Sequence, residues 1–402
     1  MPVKHGVKNM LKFLYYLALF SLCLGQLLSI GKSDGVNLYF FDIAVALFSV
    51  VGLTLYLLRK KLFITKYFYA LFPFVIVAFT SLTFNRINLT PEEFLVALSY
   101  LLRFICYAGS GLVIYNMLQD KTITTSGLKN SLYIAAIIVG IGGIVQLILL
   151  PDFTVLNPEL GWDPHKNRLA STFFDPNFAG AFFNIIIAIL IYDLRDTKRP
   201  LIYYSLFFFL VICVFFTFSR SAWGMLAIII FLYGFYKNRL MLLMALLIVF
   251  LAYFAIPRVQ TRLSGVTDPA DSARFRLESW GNALTLVRKN WFLGVGYNAY
   301  KYAQRDAGML NGDTFFDHSS AGSDSSFLFV FVTTGIFGIT FFLLWWFLPL
   351  LDQLKLGSSG DLALISVLMG MLLESQFINS IFYPQILFLL MILFAKSSLF
   401  RS

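Results

Sequence analysis

An all-α, polytopic membrane fold is predicted by three features of the sequence. Apolar residues make up 59% of the chain, aromatics 18% and charged residues only 13%, and the mean hydropathy is +0.78; no ordinary soluble domain has that balance. Apolar runs of ~20 residues, enough to cross a bilayer, recur along the chain. The remaining charges collect in the connections between those runs, where orientation signals act. A formal net charge of +10 suits a nucleic-acid binder in general, but here the basic residues fall between spans, which excludes that class.

Twelve candidate spans follow in order, at 11–30, 38–58, 67–83, 94–118, 131–150, 173–193, 201–217, 221–236, 240–256, 325–348, 361–379 and 381–395. The first follows Lys4, Lys8 and Lys12 as a signal peptide does, but it is longer than the usual apolar core and lacks a small-residue cleavage site. It reads as an uncleaved span. With the N-terminus inside, the inner connections hold Arg59, Lys60, Lys61, Lys66, Lys121, Lys129, Arg195, Lys198, Arg199, Lys237, Arg239, Lys355, Lys396 and Arg401. The short outer ones hold Lys32, Arg86, Lys166, Arg168 and Arg220. This asymmetry predicts that both termini are cytoplasmic. The chain then divides into nine spans over 1–256, an extracytoplasmic loop domain over 257–323, and three further spans over 324–402. Cys23, Cys106 and Cys213 each lie inside an apolar run, so neither a disulfide framework nor a zinc-type spacing is present.

Polar clusters recur on the predicted outer face. In "KNRLASTFFDPNFAG" (166–180), Asp175 suits a helix N-cap and Pro176 the first helical position. Arg168 precedes an apolar segment; it either snorkels to lipid phosphate or binds a substrate anion, and Asn177 stands beside it. In "FTFSRSAWGML" (216–226), Arg220 sits in a turn between two apolar runs. A guanidinium carries five donors in a rigid fork suited to phosphate, and helix N-terminal amides beside it add anion affinity. We expect function there rather than anchoring.

In the long loop, Leu277, Trp280, Leu284, Val287 and Trp291 recur at helical spacing and predict an amphipathic helix along the membrane surface, ended by Gly294. Arg274 and Arg276 open it, against the helix dipole. "GVGYN" (294–298) lacks the preceding strand and following helix of a dinucleotide loop and reads as a turn. Further on, Asp324 stands with Ser325 and Ser326 before a span, where capping and general-base chemistry are both open. His318 lies just upstream. Within the spans, Asp42 with Arg103 suits a structural pair, and Glu374 suits the lining of a substrate cavity. Trp280 and Tyr297 suit sugar stacking or core packing equally.

Arg168 with "DPN" (175–177), "SRSAW" (219–223), "RLESW…GVGYN" (276–298) and "DSSFL…TTGIFG" (324–338), in this order around one long outer loop, resemble the O-antigen polymerase and O-antigen ligase superfamily. The resemblance covers roughly 165–340. It implies a bacterial inner-membrane glycosyltransferase with a GT-C-like fold. It implies polyprenyl-diphosphate-linked glycans as donor and acceptor, an inverting transfer without metal or other cofactor, and a flippase and a chain-length regulator as further partners. By the same resemblance Arg220 and Arg276 grip the lipid diphosphate, with Arg168 as a third cation. From the residues themselves, Arg274, Asn177, Trp280, Tyr297, His318 and Glu374 are expected as substrate contacts. Asp324 becomes the expected base, ahead of His318 and Glu374. The ligase branch has a histidine where this chain has Asp324, which points to the polymerase branch. Ligation to an acceptor lipid, and transport of a lipid-linked glycan, are the alternatives. A transporter site is expected near the midplane, whereas these arginines cluster on one face.

Overall fold

The computed structural model describes residues 5–33, 36–156, 165–194, 198–264, 272–310, 322–357 and 360–401. Helices α1 (His5–Leu24), α2 (Phe40–Leu58), α3 (Lys66–Tyr69), α4 (Phe72–Phe84), α5 (Pro91–Gln119), α6 (Thr125–Leu149), α7 (Pro176–Asp193), α8 (Pro200–Phe216), α9 (Arg220–Tyr236) and α10 (Arg239–Ala255) run first. They are followed by α11 (Pro257–Ser264), α12 (Ser272–Asn290), α13 (Tyr300–Asp306), α14 (Ser326–Lys355), α15 (Leu362–Glu374) and α16 (Pro384–Ser397). Among the described residues, seven helical segments are long and apolar enough to cross a membrane, and the apolar α8, α9, α15 and α16 are shorter. The expected all-α polytopic class holds, with one local exception. A small hairpin, β1 (Ser29–Ser33) with β2 (Val36–Tyr39), joins α1 to α2. Its strands are too short to leave an alternating pattern in the sequence.

The helix starts obey local chemistry. Thr90 and Glu93 form a reciprocal capping box at α5 with Pro91 in its first turn. Asp175 accepts from the amides of Asn177 (2.6 Å) and Phe178 (3.4 Å) at α7. Ser219 accepts from Ala222 (3.3 Å) at α9, and Ser325, rather than Asp324, caps α14 through the amide of Leu328 (3.3 Å). Helices α7 and α16 are apolar around their whole circumference and are buried almost throughout, as central helices of a bundle must be. Around them pack α5 on α16, and α9 and α15 on α7. Gly180 lets α7 and α9 approach closely, since a Cβ there would meet Ala222 at 2.5 Å.

Basic residues gather at the end of the bundle opposite to that hairpin. Lys8 donates to the Asp120 carbonyl (2.7 Å), Lys129 pairs with Asp193 (2.6 Å), Lys66 pairs with Asp352, and Lys396 pairs with Asp361 (2.8 Å). The last pair ties the start of α15 to the end of α16 at one level. With 13 and 14 residues, these helices are only ~20 Å long, against a ~30 Å hydrocarbon core. Their connection, 375–383, is therefore drawn in from the membrane boundary, a recess in which irregular backbone is covered by protein and Tyr383 stacks on Phe178 at the start of α7.

Helix α14 is broken at Gly335 (φ 64°, ψ −164°). The chain that follows α12 is clipped into the break. Val295 N donates to Val332 O (2.9 Å), Gly296 N to Thr333 O (3.0 Å), and Ile336 N to Trp291 O (2.9 Å). The carbonyls and amide left over by the break are satisfied by the loop, as a buried kink requires. "GVGYN" is thus a turn, but one that serves as a main-chain clip between α12 and α14. Above it, Ala283, Leu286, Val287, Val295, Tyr300 and Ala303 share a small core with Phe329 and Val332.

Candidate functional site

The end of the bundle that carries the recess brings together four distant parts of the chain. The first two meet at the hairpin between α8 and α9. Leu169 N donates to Phe216 O (2.9 Å), which lays the 168–169 segment along the turn. Arg168 then donates through Nε to Thr217 O (2.8 Å) and reaches Asn177 Oδ1 at 3.4 Å. Asn177 Oδ1 also accepts from Ser219 Oγ (2.7 Å), and Ser219 lies 3.1 Å from Ser221. Arg168, "DPN" and "SRS", separated in sequence, are one hydrogen-bonded knot. Arg220 occupies the first turn of α9 and is half-buried.

The third part is α11, which turns 99° from α10 and lies across this end. Arg258 donates to the carbonyls of Asn167 and Lys166 (both 2.7 Å), and its guanidinium sits 4.0 Å from the centre of the Phe218 ring. The carbonyl of Arg262 accepts from Arg220 at 3.4 Å. Arg168 lies within the field of Arg262, Arg258 and Arg276; burial first, then these cations, pushes its guanidinium down to about 9, with Asp175 acting the other way. It remains charged at neutral pH. Cations held by fixed backbone in this way suit an anion with several oxygens.

The fourth part is α12. Its protein-facing side is Arg276, Ser279, Trp280, Ala283, Leu286 and Val287, packed on α14. Of the expected stripe, Trp280 and Val287 face the protein, while Leu277, Leu284 and Trp291 are exposed, as an interfacial helix allows. The helix has two apolar faces, and the sequence pattern merged them. Arg276 lies on the inward side, within electrostatic reach of Arg168 and Glu374. Arg274, expected as a substrate contact, points to the exposed side and pairs with Glu278 (2.9 Å) one turn on.

Asp324 is held by its main chain: its amide donates to Ser279 Oγ (3.1 Å) and its carbonyl accepts from Trp280 Nε1 (3.2 Å). The indole of Trp280 is therefore engaged with the 324 backbone, with its ring 6.0 Å from Phe377. Tyr297 is 3% exposed and packs edge-on to Phe74 and Phe382; it belongs to the core and offers no face to a sugar. His318 lies outside the described residues, as do Asp268, Asp271, Asp313 and Asp317.

The floor of the recess is polar. Ser326 N donates to Ser375 O (2.8 Å), Ile381 N to Ser326 Oγ (3.2 Å), and Ser325 Oγ to Gln376 (3.3 Å), so 323–326 lies along 375–381. Glu374 is fully buried there and accepts from Ser380 Oγ. Among the described residues no group of three His, Cys, Asp or Glu is placed to hold a metal ion. The sequence reading missed Arg258 and Arg262, whose signal was two arginines one helical turn apart directly after a span, and Asn379 and Ser380, which lay at the boundary between the last two expected spans.

The O-antigen ligase family model matches residues 205–343. That stretch runs from α8 into α14 and contains Arg220, Arg258, Arg262, Arg276 and Asp324. The match is consistent with the O-antigen ligase and polymerase superfamily and supports membrane glycan processing of that type. No curated protein matches the chain.

Proposed function

We propose that this chain is an inner-membrane glycosyltransferase that takes glycan from a polyprenyl-diphosphate donor at the outward end of its bundle and joins it to a second lipid-linked glycan. The observation that carries this reading is the gathering of Arg168, Arg220, Arg258, Arg262 and Arg276 around the rim of a recessed polar floor. The lysines at the opposite end mark the cytoplasmic side by the same rule that applied to the sequence.

The chemistry asked of the rim is leaving-group stabilisation. As the anomeric C–O bond breaks, negative charge grows on the diphosphate. Guanidinium donors fixed in advance favour that state over the bound substrate. Attack from the opposite face of the sugar inverts the anomeric centre. Arg220 and Arg276, the latter on the inward face of α12, are the central pair. Arg168 holds the knot together and adds its charge.

A second reading has its own support, since the matching family model is that of O-antigen ligases. It shares the donor and the rim and differs in the acceptor. Asp324, where the ligase branch has histidine, favours polymerisation. One assay separates them: purified chain in nanodiscs with a polyprenyl-diphosphate oligosaccharide and no nucleotide. A ladder of products supports the polymerase. Transfer only on addition of a lipid acceptor of another kind supports the ligase. Absence of transfer in both arms refutes the transferase reading.

A further inference from the structure

The recess contains a group that the rim chemistry leaves unused. Glu374, the last residue of α15, has no solvent-exposed surface. One carboxylate oxygen accepts from Ser380 Oγ, while the other is buried and meets no hydrogen-bond donor among the described residues. A buried acceptor without a donor is costly unless something polar uses it. It is not isolated. Asn379 Oδ1 and Ser323 Oγ are also buried without a partner among the described residues, and they meet at the same junction, where a Cβ on Gly322 would lie 3.3 Å from the Asn379 amide nitrogen. Asp175 and Arg276 are the charged groups within reach of Glu374, so the junction borders the arginine rim.

The chemistry of the three atoms defines the ligand. Two are obligate acceptors and the third is a hydroxyl, so the complementary molecule brings several O–H donors in a small volume. A sugar does that. We propose that Glu374 is the catalytic proton acceptor for the acceptor sugar, in a subsite completed by Asn379 and Ser323. This assignment rests on the transferase reading above and gives Glu374 the role expected from sequence for Asp324. The step balances without a further reactant. The acceptor O–H bond breaks and its proton passes to the free oxygen of Glu374. The acceptor oxygen bonds to the anomeric carbon, and the bond from that carbon to the diphosphate breaks. The lipid diphosphate leaves as the anion, held by the rim, and the proton later leaves to water. Ser380 is a positioning residue that fixes the carboxylate through its other oxygen. Entry of the sugar moves 322–323 away from Asn379.

The test uses the intact chain in nanodiscs with the lipid-diphosphate oligosaccharide. Glu374→Gln keeps an oxygen for Ser380 and removes the base. Transfer should fall by roughly 10²–10⁴-fold, while binding of a polyprenyl diphosphate without sugar stays within twofold of wild type. Glu374→Ala should regain part of its activity with added formate or azide, which a purely structural role would not allow. Asn379→Ala should raise the KM for acceptor with little change in kcat. Glu374→Gln turning over within threefold of wild type overturns the assignment and leaves the transferase reading in place, as does formate rescue of Asp324→Ala but not of Glu374→Ala. A wild type that transfers nothing overturns both.

Discussion

Replacing Gly335 by alanine tests whether the clip between α12 and α14 holds the site together. The native backbone at Gly335 (φ 64°, ψ −164°) lies in a region almost closed to residues with a Cβ, at a cost of about 1–3 kcal/mol. The added Cβ would also meet the carbonyl oxygen of Phe292 at 2.3 Å. That atom is backbone, so relief comes only by moving the loop. Movement weakens the Ile336–Trp291 bond (2.9 Å) and the Val295–Val332 bond (2.9 Å), worth about 1 kcal/mol each. The sum is about 3–5 kcal/mol. For a chain of 402 residues, an unfolding entropy of ~2.1 cal/mol/K per residue makes each kcal/mol worth roughly 1.2 °C. The melting temperature in a fixed detergent should therefore drop by about 4–6 °C. Gly281→Ala is the control: it lies within α12 with open space around it, and should be neutral or stabilising by up to about 1 kcal/mol. Because the clip fixes the end of the helix that carries Arg276, glycan transfer should also fall, below the melting range. A Gly335→Ala protein melting within 1 °C of wild type would refute the reasoning.

Arg220→Ala should lower transfer by roughly 10²-fold or more at matched membrane expression, and Arg220→Lys should recover only part of it, because lysine keeps the charge but loses the fork; full activity in the lysine variant would leave Arg220 as a lipid anchor. Cysteines placed in 300–310 and at 198 should react with an impermeant thiol reagent from opposite sides of the membrane; labelling from one side would remove the outward orientation of the site. Transfer should persist in excess EDTA, and a loss restored by added divalent cation would require a metal alongside the arginines.

Much of the fold was legible because membrane insertion writes itself into composition. Long apolar runs marked the helices, and Asp175 with Pro176 marked the start of α7 in the manner the structure displays. Ser219 and Arg220 were legible as a pair because only three polar residues interrupt two apolar stretches. The recess was not. Residues 375–383 sit between two helices each too short to cross alone, and a hydropathy window runs straight through them. The clip was invisible for another reason. It is made of main-chain hydrogen bonds, and the sequence records only the glycines that permit it, Gly294 (φ 79°), Gly296 (φ 102°) and Gly335 (φ 64°). For α12 the helical period was legible, but the sequence did not separate its two apolar faces. Leu277, Leu284 and Trp291 repeat every seven residues on the exposed side, where they suit an interfacial helix, while the buried side is carried by smaller residues such as Ala283.

The arrangement also accounts for cations placed where local energetics disfavour them. Arg220 stands at a helix N-terminus, where its charge opposes the dipole. Arg168 is buried beside other arginines and gives up part of its basicity there. Neither charge is favoured by its surroundings. Each is instead fixed by backbone that the bundle has already ordered: the 168–169 segment by Phe216, the turn by Ser219 and Asn177, α11 by the carbonyls of 166 and 167, and α12 by its clip into α14. Donors ordered in this way need no rearrangement as charge develops on a leaving group, which is the condition under which electrostatic stabilisation is strongest. On the proposed reading, a diphosphate held by these arginines presents its first sugar toward Glu374, which lies within electrostatic reach of Arg276, so one face of the anomeric carbon meets the arginines and the other meets the acceptor.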